Sequence, residues 1–187
     1  MQRVHIKHQK ASRILKRVNE ITSNGGLPKT GQWNSYNYGD DGMYRMGYPL
    51  GGAQRFVDNG DGTVMDLATG LMWVKDPYQL GGLFTNPMYW YDALNACENL
   101  EFAGWGDWRM PNINELMSII DHSRYNPAFD TMYFAPCPDM WGTWWSSTKF
   151  EPWYEGIWCV YNYEGYVTYN SMYSYMCWVR PVRSGQA

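Results

Sequence analysis

The chain has 187 residues and a formal net charge of -3, which suits one domain with a buried core and gives no argument for nucleic-acid binding by the folded part. Tyr (16) and Trp (11) are abundant while aliphatic residues are sparse, a balance typical of loop-rich domains that contain β-strands. No apolar run approaches the roughly 20 residues of a membrane span. Residues 1–26 show no apolar stretch of the kind found in a signal peptide.

Residues 1–26 are predicted to contain a basic amphipathic helix. Six Lys and Arg residues stand against Glu20 alone, and apolar residues recur at intervals of seven. Such a helix can contact nucleic acid or a membrane, or dock on a partner. A solvated terminal helix that packs on its own domain is an equal alternative. Residues 27–52, rich in Gly, Tyr and Asn, are predicted to be a linker or ordered loop before a binding domain at 53–187.

Short strands joined by tight turns are predicted over residues 55–75. The turn sequence Asp58-Asn59-Gly60-Asp61-Gly62 superficially resembles a calcium loop, but glycines stand where the ligands at loop positions 3 and 5 would be. Asp40-Asp41-Gly42 likewise lacks the ligand spacing. Both segments are therefore predicted to be turns, and no metal site is expected.

Two helices are predicted in the middle of the chain. Asn86 can cap the first helix and Pro87 suits its first turn. The second helix begins after Pro111, where Asn112 and Glu115 have the spacing of a capping box. Each helix shows one apolar face, as expected for helices that pack on a sheet.

Strands return in the last part of the chain. Alternation in this region does not show which face of each strand is inside. Because strands precede and follow the two helices, the sequence predicts an α+β fold with a small antiparallel sheet. The predicted strands cover residues 143–148, 157–163, 166–170 and 176–183.

The stretch from Tyr154 to Tyr175 has the composition of a displayed binding surface. Tyr supplies wide, rigid contact area at low entropic cost, and Ser and Asn supply adaptable hydrogen bonds. Glu164 is the single charged residue between Gly156 and Val179, whereas a core strand would be rich in Val, Ile and Leu. The candidate ligand-binding residues are Tyr154, Tyr161, Tyr163, Tyr166, Tyr169, Asn170, Ser171, Tyr173, Ser174 and Tyr175.

Some of these side chains could pack the domain instead, as aromatic residues commonly do, and about half is the expected share. The tryptophans of the same region are assigned mostly to the core, with Trp153 left open. The core assignment covers Trp141, Trp144, Trp145, Trp158 and Trp178.

Catalytic and metal-binding patterns are weak. Four cysteines without a CxxC pair argue against a zinc ribbon and leave either disulfides or buried thiols open. His122 neighbours Ser123, but adjacency in sequence does not make a catalytic triad, so His122 is predicted to be a surface residue. Asp107 and Arg109 are predicted to belong to a structural polar network. We therefore expect a protein that is not an enzyme and uses no cofactor.

Four motifs in order resemble the Lcl C-terminal domain family, over about residues 53–183. That family is similar to C-type-lectin-like domains, which implies two helices and an antiparallel sheet that displays ligand-binding side chains. The resemblance also implies a disulfide between Cys97 and Cys177, which would leave Cys137 with Cys159. The motifs are residues 55–64 with 68–73, residues 104–111 with 114–116, residues 145–148 and residues 177–183.

The segment from Tyr154 to Tyr175 also resembles the diversified segment of variable proteins of diversity-generating retroelements, which use C-type-lectin-like domains. Their diversified positions lie near the C-terminus, and Tyr, Asn and Ser are frequent there. This resemblance implies receptor recognition on a virion or cell surface, with an unknown protein or cell-surface ligand as the partner.

Two alternatives stay open. A glycan-binding lectin is the first, although Glu151-Pro152-Trp153 lacks the amide of the calcium-dependent lectin motif and no Trp-Asn-Asp occurs. The second is an enzyme of the formylglycine-generating type, because those enzymes share this broad fold and use cysteines.

Overall fold

A computed structural model describes residues 27–49, 55–139 and 141–185. The helix predicted for residues 1–26 lies outside the described residues, and so does the predicted boundary at residues 52 and 53. Among the residues that the structure describes, no helix has the length and apolar character required to cross a membrane.

The described residues form two separate antiparallel sheets and three α-helices. The first sheet has the strand order β1-β2-β3-β7 and the second has the order β4-β5-β6. The strands are β1 (Phe56–Asp58), β2 (Thr63–Asp66), β3 (Leu71–Val74), β4 (Thr143–Lys149), β5 (Gly156–Tyr161), β6 (Val167–Ser171) and β7 (Val182–Ser184). The helices are α1 (Asp41–Tyr44), α2 (Trp90–Glu98) and α3 (Ile113–Ser118), with 3-10 turns at Pro77–Leu80 and Gly82–Thr85.

This arrangement confirms the predicted mixture of helices and small antiparallel sheets. The prediction of two helices and a single small sheet was incomplete. Asp40, which was expected to form a turn, caps the additional one-turn helix α1 by accepting a hydrogen bond from the Met43 N–H at 2.9 Å. The turn predicted at residues 58–62 joins β1 to β2, where the Asp58 carboxylate accepts from the Gly60 N–H.

The sheet β4-β5-β6 lies between two hydrophobic clusters. Trp144 of β4 and Val160 of β5 belong to a cluster with Leu116 of α3. On the opposite face, Trp145 and Cys159 belong to a second cluster that contains residues of α2. Both faces of β5 are therefore buried, which explains why alternation alone could not choose an inner face.

The start of α2 was predicted wrongly. The expected cap, Asn86, ends the preceding 3-10 turn by donating its N–H to the Leu83 carbonyl at 3.3 Å. Met88 then exchanges two backbone hydrogen bonds with Cys177, of 3.0 and 3.1 Å. That bridge keeps the chain extended, so the helix begins only at Trp90.

The capping box of α3 is confirmed. The Asn112 side chain accepts from the Glu115 N–H at 2.9 Å, and the Glu115 carboxylate accepts from the Asn112 N–H at 2.8 Å. The same carboxylate receives two hydrogen bonds from Arg109, at 2.6 and 2.8 Å. This end of α3 is fixed by three charge-assisted contacts.

The predicted closing strand at residues 176–183 is mostly not a regular strand. Only β7 pairs in a sheet, while Trp178 bonds to β4 and Val182 exchanges backbone bonds with Arg109. Arg180 is buried and donates to the carbonyls of Val74, Lys75 and Ala135. The segment therefore forms hydrogen bonds with several different elements, and both of its faces are buried.

The disulfide pairing implied by the resemblance is wrong for this structure. All four cysteines are buried free thiols. Cys97, Cys159 and Cys177 lie in one hydrophobic cluster, whereas Cys137 lies in the other. Burial raises the pKa of the Cys97 thiol, as expected for a thiol in apolar surroundings.

Candidate functional site

The ten candidate residues lie before, within and after the β5–β6 hairpin. Half of them are tyrosines that expose about half of their surface or more: Tyr154 (73%), Tyr175 (57%), Tyr173 (50%), Tyr166 (49%) and Tyr169 (47%). Ser174 is also exposed, and Tyr161 and Tyr163 are partly buried. Most of the predicted surface is therefore accessible to a ligand.

Ser171 is a correction to the prediction because its side chain is buried. Its hydroxyl donates to the Glu155 carboxylate at 3.1 Å and accepts from the N–H groups of Tyr173 and Ser174, both at 3.3 Å. Ser171 thus shapes the turn that presents its neighbours and is not displayed itself.

Asn170 is half-buried and also has a structural role. Its amide donates to the Thr143 hydroxyl and to the Cys177 sulfur, both at 3.3 Å. These contacts join the edge strand β6 to β4 and to the closing segment.

An exposed group of stacked rings, which we call the hairpin cluster, surrounds the β5–β6 turn. Trp141 stacks on Tyr163 with ring centroids 5.3 Å apart and on Tyr161 at 6.3 Å. Tyr161 contacts Tyr166 at 4.9 Å, and Tyr163 contacts Tyr125 at 6.0 Å. Trp141 was predicted to lie in the core, but 61% of its surface is exposed, so that prediction was wrong.

A second group of rings, the strand cluster, lies over β5 and β6. Phe150 stacks on Tyr169 with centroids 4.2 Å apart and packs edge-on against Trp158 at 4.7 Å. Trp153 meets the same tyrosine at 6.0 Å and is 40% exposed. The Lys149 ammonium lies 4.6 Å from the ring centre of Tyr154, in a cation–π contact.

The two clusters do not form one continuous face. Trp158 and Tyr161 are three residues apart in β5, and side chains at odd spacing point to opposite sides of a strand. Trp158 pairs directly with Tyr169 of β6, which places the strand cluster on its own side. The structure therefore divides the predicted surface into two aromatic patches.

Two carboxylates accompany the hairpin cluster. The Asp139 carboxylate accepts from the Trp141 N–H at 2.9 Å, and Glu164 follows Tyr163 in the turn. Desolvation, the neighbouring Tyr166, and the negative charges of Glu164 and Asp139 together raise the pKa of Tyr161. The cluster is thus an aromatic surface in a negative field.

Comparison with known proteins bears on the segment that carries both clusters. The sequence model described as Lcl C-terminal domain matches residues 62–183. The chain belongs to the Lcl C-terminal domain family. No curated protein matches the chain at a significant level of similarity. The family prediction is confirmed, while the retroelement resemblance stays a prediction.

Within this Lcl C-terminal domain, the charged residues of the family motifs form structural pairs. Arg183 is buried and donates to the Asp107 carboxylate at 2.6 and 3.0 Å, and its guanidinium lies 3.8 Å from the ring centre of Trp105. These contacts lower the pKa of Asp107, chiefly through the Arg183 hydrogen bond. Arg109 pairs with Glu115 instead, so Asp107 and Arg109 have the predicted structural role but belong to two separate ion pairs and not to one network.

The two neighbours considered for catalysis, His122 and Ser123, do not interact as a catalytic pair. His122 is exposed and lines an open cavity of about 630 Å³ together with Ser123, Asp41 and Trp33. The Ser123 hydroxyl donates to Asp121 rather than to His122. Within the described ranges, no group of three or more His, Cys, Asp or Glu residues could hold a metal ion.

Sequence reasoning missed several members of the two clusters. Tyr125 and Phe150 come from loops, and their contacts with Tyr163 and Tyr169 span 19 residues or more of chain. Tyr91 of α2 approaches Tyr173 at 6.1 Å and extends the exposed aromatic surface beyond the hairpin. No local pattern marks such pairs, because the tertiary fold alone brings them together.

Proposed function

We propose that this Lcl C-terminal domain is a non-enzymatic recognition module that binds a protein or other cell-surface ligand through the aromatic surface around residues 154–175. The observation that carries the proposal is the exposure of five tyrosines within and next to a hairpin whose strand β5 is buried on both faces. Tyr and Trp on a rigid support are the side chains that most often dominate protein recognition.

A C-type-lectin-like scaffold fits this role. Two helices pack on opposite sides of the sheet β4-β5-β6, and the closing strand β7 pairs with β3 of the first sheet. The Tyr, Asn and Ser content of residues 154–175 further supports a variable protein of a diversity-generating retroelement, displayed on a virion or cell surface. A neighbouring reverse-transcriptase gene, with a near-copy of the last coding segment that differs at adenines, would test that assignment.

A binding experiment tests the recognition role. The labelled full chain is applied to a panel of bacterial cells, and its affinity for bound cells is compared with that of a variant in which exposed tyrosines become Ser. We expect a loss of more than about tenfold, because truncation of aromatic anchors commonly removes at least ~1.4 kcal/mol each. The substituted residues are Tyr154, Tyr166, Tyr173 and Tyr175.

A matched control replaces four exposed tyrosines that lie outside this surface. Both variants should keep the melting temperature within a few degrees, because exposed side chains contribute little to stability. Equal loss of binding in both variants, or unfolding of the first, would contradict the proposal. The control residues are Tyr36, Tyr38, Tyr44 and Tyr78.

A glycan-binding lectin is the second candidate, favoured by the exposed and nearly parallel rings of Trp141 and Tyr163. Such platforms suit the apolar faces of sugar rings. A glycan array probed with and without a chelator separates the candidates, since binding to defined glycans that survives chelation would support a lectin without calcium.

The formylglycine-generating type of enzyme is a further alternative. Cys177, the residue it would need, is buried, and its sulfur accepts hydrogen bonds from Thr143 and Asn170. A Cys177→Ser variant that folds and keeps full cell binding would argue against this alternative.

A further inference from the structure

The hairpin cluster offers an accessible aromatic surface. Trp141, with 61% of its surface exposed, stacks on Tyr163 at 18° and on Tyr161 at 28° between ring planes. Tyr166 and Tyr125 border these rings and are themselves exposed. The hydroxyls of these four tyrosines hydrogen-bond to no other residue in the described part of the chain. Ring faces and phenol oxygens are thus both available to a ligand.

Negative charge borders this aromatic surface, and neither carboxylate forms a salt bridge with a residue that the structure describes. Asp139 is held against the Trp141 backbone and Glu164 stands in the β5–β6 turn. Arg124, next to Tyr125 in sequence, is already paired with Asp121 and Asp130. Among the described residues, no Arg or Lys lies over any ring of the hairpin cluster.

Other exposed rings of the same protein already hold a cation. Arg45 lies 5.0 Å from the ring centre of Trp33, Lys149 lies 4.6 Å from Tyr154, and Arg183 lies 3.8 Å from Trp105. The strand cluster therefore has its own ammonium at Tyr154. The hairpin cluster differs, because no Arg or Lys of residues 27–49, 55–139 or 141–185 lies over its rings.

We propose that the hairpin cluster binds an arginine side chain of a protein partner, with the guanidinium stacked on the Trp141 and Tyr rings and its N–H groups directed at Asp139 and Glu164. This inference rests on the proposed recognition function and names the chemistry of the partner. A guanidinium fits better than an ammonium, because its plane stacks on aromatic faces while its edge donates to carboxylates. An acidic ligand would be repelled by the same two carboxylates.

Nuclear magnetic resonance of the ¹⁵N-labelled full chain tests this inference. The indole N–H signal of Trp141, assigned with a Trp141→Phe variant, is followed while a hexapeptide with Arg at alternate positions is added. A second peptide carries citrulline, which keeps the shape of arginine but has no charge. We expect a saturable shift with the arginine peptide and at least about tenfold weaker binding of the citrulline peptide.

Charge-removing variants make the test specific to this site. Asp139→Asn with Glu164→Gln should weaken binding of the arginine peptide by about tenfold, because two exposed carboxylates next to the rings lose their charge. The Asn introduced in place of Asp139 keeps a side-chain oxygen that can accept the hydrogen bond from the Trp141 N–H. If the double variant unfolds, Glu164→Gln alone is used as the test variant. The control, Glu101→Gln with Glu151→Gln, removes the same charge from exposed positions outside the cluster and should bind as the original chain does.

Three outcomes would overturn the inference. These are equal binding of the arginine and citrulline peptides, an unchanged affinity in the Asp139 and Glu164 variants, and a Trp141 shift produced by neutral oligosaccharides but not by arginine. If one of them occurs while the tyrosine variant still loses cell binding, the recognition function stands and the arginine preference fails. If the tyrosine variant keeps cell binding, the proposed function itself fails.

Discussion

The side chain of Glu115 has two structural roles. It completes the capping box of α3 and forms the bidentate ion pair with Arg109. Burial raises the pKa of Glu115, but the hydrogen bonds from Arg109 and from the Asn112 N–H outweigh that effect and hold the pKa below its ordinary value.

Replacement of this carboxylate should therefore destabilise the domain in a pH-dependent way. We expect Glu115→Gln to lower the free energy of unfolding by about 1–2 kcal/mol at neutral pH, through loss of the ion pair with Arg109 and of the negative charge on the capping side chain. Because the folded-state pKa is lowered, this stabilisation is present above about pH 4.3, the ordinary value for Glu, and is lost as pH falls through the folded value. Denaturant unfolding between pH 3 and pH 7 measures the difference.

The exposed Glu101, changed to Gln, provides the control and should leave the curve nearly unchanged. If Glu115→Gln and the original chain differ equally at every pH, the proposed ion-pair contribution is wrong.

The thiols give a second test at the scale of single residues. All four cysteines are buried and free. Burial raises the pKa of Cys137 to about 12, whereas at Cys177 the effect of burial is outweighed by hydrogen bonds from Cys159, Thr143 and Asn170, which lower the pKa. Enclosure shields all four sulfurs from alkylating reagents. We expect mass spectrometry to show no alkylation of the native chain and four alkylated cysteines after denaturation without reductant. Two or four unmodified cysteines after denaturation would instead support the disulfides that the family resemblance implied.

The structural role of a residue was predictable where its interactions are with residues close in sequence. The Asn112–Glu115 box and the Asp58 turn depend on residues a few positions apart, and both occur as expected. The exposure of Trp141 and the burial of Ser171 were not predictable, because they depend on Tyr163 and Glu155, which come from other segments.

At the scale of elements, the β5–β6 hairpin is anchored to the core by its turn. Gly165 has a φ of +74°, and a Cβ built on it would lie 2.6 Å from Ile120 and 2.7 Å from Ala128. The Asn126 N–H also donates to the Tyr163 carbonyl at 2.7 Å. The turn therefore positions the hairpin cluster by direct contact with the residues that follow α3.

A methyl group at this turn should disturb both stability and the cluster. We expect Gly165→Ala to cost about 2–4 kcal/mol, the sum of backbone strain and overpacking. Gly60→Ala is a matched control, since Gly60 has a φ of +80° and open space around it, and should cost only about 1 kcal/mol. Thermal and denaturant unfolding measure both, and equal costs would show that the contact with Ile120 is unimportant.

The elements themselves were largely predictable, but their ends and pairings were not. Three C-terminal strands lie within two residues of the predicted bounds, because their composition and turns are clear in the sequence. The closing segment and the start of α2 differ from the prediction because Met88 bridges to Cys177, and because Arg180 binds carbonyls at the end of β3 and in the loop at Ala135. Such long-range hydrogen bonds leave no local pattern.

At the scale of the molecule, the residues that fill the core of the domain differ from those that form the candidate binding surface. Trp144, Trp145 and the segment around Arg180 fill the interior, whereas the tyrosines of the hairpin remain at the surface. The composition of residues 154–175 predicted the display region. It could not predict that the rings divide into a hairpin cluster and a strand cluster, since that division depends on the pairing of β5 with β6.

The central claim is that ligand binding depends on this aromatic surface and not on the fold alone. The most direct test is a saturation scan of the described residues with two readouts, affinity for a bound cell type and resistance to proteolysis. We predict that positions losing more than about tenfold in affinity, at a stability cost below about 1 kcal/mol, concentrate in residues 154–175 and at Trp141. The account would be contradicted if those positions lay mainly in residues 30–46, or if every loss of affinity came with an equal loss of stability.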